Sequence, residues 1–289
     1  MAITAEQVKL LRDKTGAGMM DCKKALTETD GDFDKAIEVL RKKGADVAAK
    51  RAERSANEGV VLSNVSDDGK TAILVEVNCE TDFVANSADF QGFAALVLDT
   101  IVKSSPADVD ALLQTTNGNV KIADELQRLT GKVGEKLAVS RFDIEKSNDG
   151  IVVDYIHQGA KLGVLVKIDN VGAGDKEELK AIAKDIAMQV AAMRPLASYR
   201  EEIPADVINK EIEIYKEIAK KEGKPEQILE RIATGKLNKY YQENCLTEQA
   251  FIKDNAKSVG DLITEYNKKY STNAKLVLFR RFHLSDENK

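Results

Sequence analysis

Between Ala72 and Ala85 the chain reads A-I-L-V-E-V-N-C-E-T-D-F-V-A, and no other stretch limits its folding choices more. Ile73, Val75, Val77 and Cys79 alternate with Leu74, Glu76, Asn78 and Glu80. One set is apolar and the other mostly polar, the period-two pattern of a half-buried strand. Thr81-Asp82 then breaks the alternation with residues suited to a helix start or a tight turn. Phe83 follows at once. An aromatic at such a junction either folds back into its own core or projects toward another molecule. Taken as a single residue, the first outcome is the commoner one.

The 289 residues are enough for about two domains. A net charge of −5 argues against a general nucleic-acid binder, which carries a basic surplus. No basic, then apolar, leader opens the chain, and no run reaches the ~20 apolar residues of a membrane span. Cys22, Cys79 and Cys245 are odd in number and far apart, so a reducing, cytoplasmic setting without disulfides is expected.

Residues 1–44 read as three short helices. Thr4 and Gln7 form a capping box, Gly16 and Gly18 separate the first two helices, Asp32 caps the third, and Gly44 is expected to stop it. Residues 45–57 read as a charged helical linker. Glu58–Val65 and Lys70–Cys79 form a hairpin across Ser66-Asp67-Asp68-Gly69. Helices follow over Ser87–Val102, Ala107–Leu113 and Val120–Thr130, and a strand returns at Leu137–Ile144. The order then recurs: a hairpin of Ile151–His157 and Leu162–Ile168, a helix over Lys176–Met193, and a late strand at Lys275–Leu284. Gly150-Ile151-Val152-Val153 echoes Gly59-Val60-Val61-Leu62. Two similar subdomains are expected, 58–145 and 146–289, each a small antiparallel sheet with helices on one face. Within the second, residues 204–244 step through Ile208, Ile212, Tyr215 and Ile218, then Leu229, Ile232, Leu237 and Tyr240 after Gly223-Lys224-Pro225. That spacing predicts an antiparallel helical hairpin, each arm ~27 Å long, projecting rather than lying flat. The fold class is therefore α+β.

Catalytic patterns are scarce. His157 and His283 have no metal-spaced partner, and there is no nucleophile elbow or zinc-protease pattern. Thr15-Gly16-Ala17-Gly18 lacks the following Gly-Lys-Ser/Thr and a preceding strand, so it reads as turn chemistry rather than a phosphate cradle. Val171-Gly172-Ala173-Gly174 lacks the distal glycine of a dinucleotide turn and follows a hairpin strand. No cofactor or metal site is expected. A small helical head, a two-part body, a protruding arm and an aromatic tip describe a protein-binding device.

Several longer segments sharpen this. T-G-A-G-M-M-D-C-K-K-A-L (Thr15–Leu26) and V-N-C-E-T-D-F-V-A (Val77–Ala85) resemble the two signatures of bacterial elongation factors Ts. Lys132–Glu135, Tyr155–Val166, Asp185–Pro195, Gly223–Glu226 and Cys245–Asp254 match further family segments in order. The resemblance covers nearly the whole chain. It implies a guanine-nucleotide exchange factor for elongation factor Tu, in its GDP-bound or nucleotide-free form, and no enzyme in the strict sense.

It also implies roles. The head is similar to a ubiquitin-associated three-helix domain that docks on the GTPase's nucleotide-binding domain. Arg12, Met19 and Met20 match its contact residues, and one of the two methionines is expected to be buried. Thr81, Asp82, Phe83 and Val84 match the family's intruding segment, which disturbs the partner's Mg²⁺ site. Val133, Gly134 and His157 match positions beside it. Direct nucleic-acid or membrane contact is not implied, and a homodimer in the complex is left open. Two departures stand out. Lys161 and Lys236 replace arginines common in the family, keeping charge without the bidentate geometry, and the chain stops after Phe282–Lys289 without the long helical module of some relatives. Outside the resemblance, an adaptor that holds a partner without exchange, and an enzyme using His157, are the competing classes.

Overall fold

A computed structural model describes residues 3–51 and 53–286. The first two residues of the head, position 52 of the expected linker and Glu287–Lys289 of the final segment lie outside the described residues. The chain begins with α1 (Ala5–Thr15), α2 (Met19–Glu28) and α3 (Phe33–Arg51). Next come β1 (Glu58–Val65), β2 (Thr71–Cys79), the single turn α4 (Asp82–Ala85), α5 (Ala88–Ser104) and α6 (Val109–Gln114). A minute hairpin, β3 (Thr116–Asn117) and β4 (Val120–Lys121), leads into α7 (Ile122–Val133) and β5 (Leu137–Lys146). The second half holds β6 (Ile151–Ile156), β7 (Leu162–Asp169), α8 (Lys176–Met193), α9 (Ala205–Lys221) and α10 (Leu229–Asn244). A short hairpin, β8 (Ala250–Phe251) and β9 (Asp254–Ser258), then α11 (Val259–Tyr270) and β10 (Lys275–His283) complete it.

The α+β expectation holds. Thr4 and Gln7 form the expected capping box, with Gln7 N–H donating to Thr4 Oγ1 at 3.2 Å and Thr4 N–H to Gln7 Oε1 at 2.9 Å. Two three-stranded antiparallel sheets run β1-β2-β5 and β10-β7-β6. In both, the late strand pairs with the second strand of the hairpin, so the recurrence in sequence is a recurrence of topology. The echoed glycines share one task. A side chain at Gly59 would stand 2.1 Å from the Val77 carbonyl oxygen, and one at Gly150 only 1.8 Å from that of Ile168.

Each sheet carries helices on its outer face. Ile73, Val75, Val77 and Cys79 pack with Phe90, Phe93, Val97 and Leu129 from α5 and α7. Val164, Val166 and Ile168 pack with Ile186 and Val190 of α8 and Ile263 and Tyr266 of α11. The inner faces meet each other. Val61, Ala72 and Leu74 of the first sheet interlock with Val152, Leu165, Phe282 and Leu284 of the second half. The backbones come close enough for Val61 N–H to donate to Ala160 O at 2.7 Å and Val152 N–H to Gly69 O at 2.9 Å.

Back-to-back packing overturns the half-buried reading of β2. Leu74, Glu76 and Asn78, on its supposed outer face, have no exposed surface. Buried polar groups need partners, and these have them. Arg141, directly opposite Glu76 in the register, donates from Nε to Glu76 Oε2 at 2.8 Å. Asn78 Nδ2 reaches Glu76 Oε1 at 3.0 Å, and Ser140 Oγ reaches Asn78 Oδ1 at 2.5 Å. The register shifts just beyond Arg141, and that irregularity brings Ser140 into range.

Two further expectations need correction. Gly44 does not end the third helix, which runs on to Arg51. The glycine serves a helix crossing instead: a side chain on Gly44 would lie 3.0 Å from Gln127 O, and one on Gly131 only 2.9 Å from Gly44 Cα. α3 and α7 therefore touch backbone to backbone. Nor is either Met19 or Met20 buried; they are 46% and 64% exposed. The head core of Val8, Leu11, Cys22, Ala25, Leu26 and Ala36 is too small to cover the first turn of α2. Sequence reading also passes over α11, although Ser258 and Asp261 form a capping box.

The helical hairpin is present as α9 and α10. Of its seam, Ala219, Leu229 and Ala233 are buried while Ile214 and Ile218 stay partly exposed. At its base Arg200 pairs with Glu248 and lies over the Tyr241 ring, 4.4 Å from the centroid. The arm thus leans chiefly on itself.

Replacing Arg141 with Met removes the cation paired with the buried Glu76 carboxylate and keeps the Asn78 amide beside it. The expected cost is about 3–5 kcal/mol, measurable by urea unfolding. A loss below about 1 kcal/mol would show that the seam does not depend on the pair.

Candidate functional site

β2 ends at Cys79 and hands the chain to Glu80 and Thr81. Thr81 is extended (φ −127°, ψ 155°) and its Oγ1 accepts the Val84 N–H, capping α4. A four-residue helix has almost no stability of its own, so its direction must be set from outside. Glu135 does this: Thr81 N–H donates to its Oε2 at 3.1 Å and Thr81 Oγ1 to its Oε1 at 2.8 Å. From below, the Cys79 thiol donates to Thr81 O at 3.1 Å. Burial, reinforced by the Glu135 charge, pushes that thiol up to about 12, so it remains a neutral donor.

Glu135 is brought into place by the end of α7. Gly134 closes that helix in the left-handed region (φ 71°), the conformation that favours glycine at a helix stop. The chain then turns sharply, and Glu135 and Lys136 face the end of β2. Lys136 N–H donates to Glu80 Oε1 at 2.6 Å. The Glu80 carboxylate also receives Arg51 at 2.8 Å and Arg54 at 3.1 Å. Of the two residues before Asp82, Thr81 is thus held by the Glu135 carboxylate, and Glu80 by two guanidinium groups and a backbone amide.

On this base stands Phe83, 84% exposed. Its neighbours divide by role: Asp82 is exposed, Val84 is half-buried and Ala85 is buried. Val84, Val133 and Ala160 pack on the same core cluster. Thr81 is tied to Glu135, the residue after Val133-Gly134, and Lys161 at the end of the β6–β7 turn is close enough to Asp82 to feel its charge. His157 opens the turn, exposed, with Nδ1 2.8 Å from Tyr155 Oη. Lys161 closes it, paired with Glu58 at 2.7 Å. Arg12 on α1 and Met19 and Met20 on α2 are each exposed. Sequence reading missed Glu80, Glu135, Arg51 and Arg54 as supports, although both carboxylates lie within the segments V-N-C-E-T-D-F-V-A and K-V-G-E.

Among the described residues, no group of three or more His, Cys, Asp or Glu side chains is placed to hold a metal ion. No helix among them is long and apolar enough to cross a membrane. Cys22, Cys79 and Cys245 are free and buried.

Known proteins resemble this chain over nearly its whole length. The family model described as Elongation factor TS matches residues 80–286. An elongation factor Ts of Chloroherpeton thalassium is 45% identical over 289 residues, covering 99% of both chains. Those of Chlorobium limicola and Chlorobaculum tepidum are 48% and 47% identical, covering 98% of this chain and 99% and 98% of their own. The chain belongs to the elongation factor Ts family. Members of this family are translation elongation factors that act by nucleotide exchange and not as enzymes.

The base has a pH signature. Burial works against a charged Glu80, but the Lys136 N–H and the Arg51 and Arg54 guanidinium groups outweigh it and hold the carboxyl at about 2, down from 4.5. A depressed folded-state pKa stabilises the fold fully above 4.5, and that contribution disappears as pH falls to about 2. Glu80→Gln is expected to lose on the order of 1–3 kcal/mol at pH 7. Its unfolding curve should converge on the wild-type curve as pH approaches 2. A constant gap between the two across that range would show that Glu80 is not charge-stabilised in the fold.

Proposed function

We propose that the chain is the guanine-nucleotide exchange factor of elongation factor Tu, working in the cytoplasm. It binds the GDP-bound GTPase, disturbs the Mg²⁺ and phosphate site, and is released when GTP rebinds. The observation that carries this reading is Phe83, 84% exposed four residues beyond a strand buried from Ala72 to Cys79. A GTPase holds GDP through backbone contacts to phosphate and a Mg²⁺ that bridges phosphate to protein. Both depend on geometry at the ångström scale. Phe83, aimed by Thr81 and Asp82 and backed by Val84, wedges between partner helices next to that site. A small displacement then costs the metal its coordination.

Magnitudes limit what the wedge does alone. Burying one Phe side chain yields roughly 1.5–3 kcal/mol, whereas a ~10⁴-fold shift in affinity needs ~5.5 kcal/mol. Additional contacts must hold the wedge in. Val133, Gly134 and His157 flank it on the body. Arg12, Met19 and Met20 supply a second contact from the head, where two exposed methionines give an adaptable apolar face. Coupling is reciprocal: a factor that weakens nucleotide binding is itself weakened by nucleotide to the same degree. Rising GTP therefore ejects it.

Release of labelled GDP from elongation factor Tu, with and without the protein, tests the reading directly. Acceleration is expected, and none would leave an adaptor as the better description. Phe83→Ala should unfold like the wild type, because the ring buries little in the free protein. It should lose roughly 10- to 100-fold of the acceleration. Normal exchange by this variant would remove the wedge from the mechanism while leaving the partner in place.

A further inference from the structure

We propose that α3 is a strut that fixes the spacing between the methionine face of the head and Phe83, with Gly44, Gly131 and Arg51 as its positioning residues. The proposal rests on the exchange reading above and adds how the two contact sites are made to act together. One helix of 19 residues, about 28 Å long, is anchored at three points. Its first half is part of the head: Ala36 is fully buried there, and Phe33, Ile37 and Leu40 pack around it. Its middle crosses α7 at Gly44 and Gly131, where backbone meets backbone. Its last residue, Arg51, bonds Glu80 at 2.8 Å, next to the threonine that caps the wedge.

Glycine is a poor choice inside a helix. Two of them facing each other are explained by the closeness they allow, since any side chain at either position would need the helices to part. Charged and polar groups flank the crossing. Arg41 pairs with Asp124 at 3.1 Å, and Arg128 Nη1 donates to Thr15 O at 3.0 Å at the end of α1. Lys132 pairs with Asp89 of α5 at 2.8 Å. α7 in turn ends at Val133-Gly134, beside the wedge. The head thus reaches the wedge by two routes, through α3 to Glu80 and through α7 to Glu135. A partner captured by the head meets Phe83 already in place, a gain in effective concentration and preorganisation that a loose tether would not give.

The test uses the full-length protein, spin-labelled at Lys23→Cys on α2 and Ala95→Cys on α5. Both positions are exposed, and the native cysteines are buried. Electron–electron distance measurement on the free wild type should give one narrow distance. Gly131→Leu, which drives a side chain into Gly44, should broaden it. The same variant should raise the concentration giving half-maximal GDP release roughly tenfold, with the maximal rate nearly unchanged. Arg51→Ala, which carries no steric burden, should shift both readouts in the same direction by less. A purely structural role would lower the melting temperature and maximal rate without moving the distance. A broad distance in the wild type, or wild-type distance and half-saturation in both variants, would overturn the strut. Absence of stimulated GDP release by the wild type would reject the exchange reading, while the distance measurements would still decide the strut.

Discussion

The carboxylate of Glu76 has no exposed surface, and the arrangement of the body depends on how that charge is answered. A buried charge is costly unless it is paired and hydrogen-bonded. Arg141 stands opposite it in the sheet and extends further, to Asp286 at 2.8 Å, with its guanidinium over the Phe282 ring. One arginine therefore joins β2, β5 and the segment after β10. The polar line through the seam is thus satisfied beside the apolar cluster that the two sheets share. Gly163 shows how tight the seam is, since a side chain there would stand 2.6 Å from Val61 and 2.7 Å from Leu74. With both faces covered, β2 becomes a rigid shaft.

What stands on the shaft is braced by a different kind of contact. Apolar packing would have drawn the aromatic ring inward, whereas hydrogen bonds to Thr81 and Glu80 hold the backbone and leave Phe83 free. The braces come from distant parts of the chain: Glu135 and Lys136 after α7, and Arg51 and Arg54 at and just beyond the end of α3. Such contacts are directional, which suits a group that must be aimed. They also leave the partner an undistorted apolar surface to bury.

Much of this is legible in the residues, and the failures share a cause. The alternation in Ala72–Ala85, the cap at Thr81 and the order of elements in each half are local signals. Sequence spacing carries them, and they locate the tip correctly. What spacing cannot carry is which face meets another element. Glu76 and Asn78 look solvent-facing until a second sheet covers them. Gly44 looks like a helix stop until α7 lies across it. Met19 sits three residues before buried Cys22 and looks like core until the head proves too small to reach it. Glu80 and Glu135 lie inside quoted family segments, yet Glu135 bonds Thr81 54 residues away and Glu80 bonds Lys136 56 residues away, so their roles need the fold to be seen.

Double burial of β2 has a consequence for how such a protein can change. In a strand covered on one face only, slipping the register by one residue exchanges inner and outer sets, and a forgiving surface absorbs part of the damage. Here there is no forgiving side. A single inserted or deleted residue would send Glu76 toward the helices of α5 and α7 and bring an apolar side chain to Arg141. The number of residues between the turn at Gly69 and the tip is thus locked as an integer. The tip itself touches little of its own molecule, so residues can be exchanged there without disturbing the shaft, whereas a longer reach would break it.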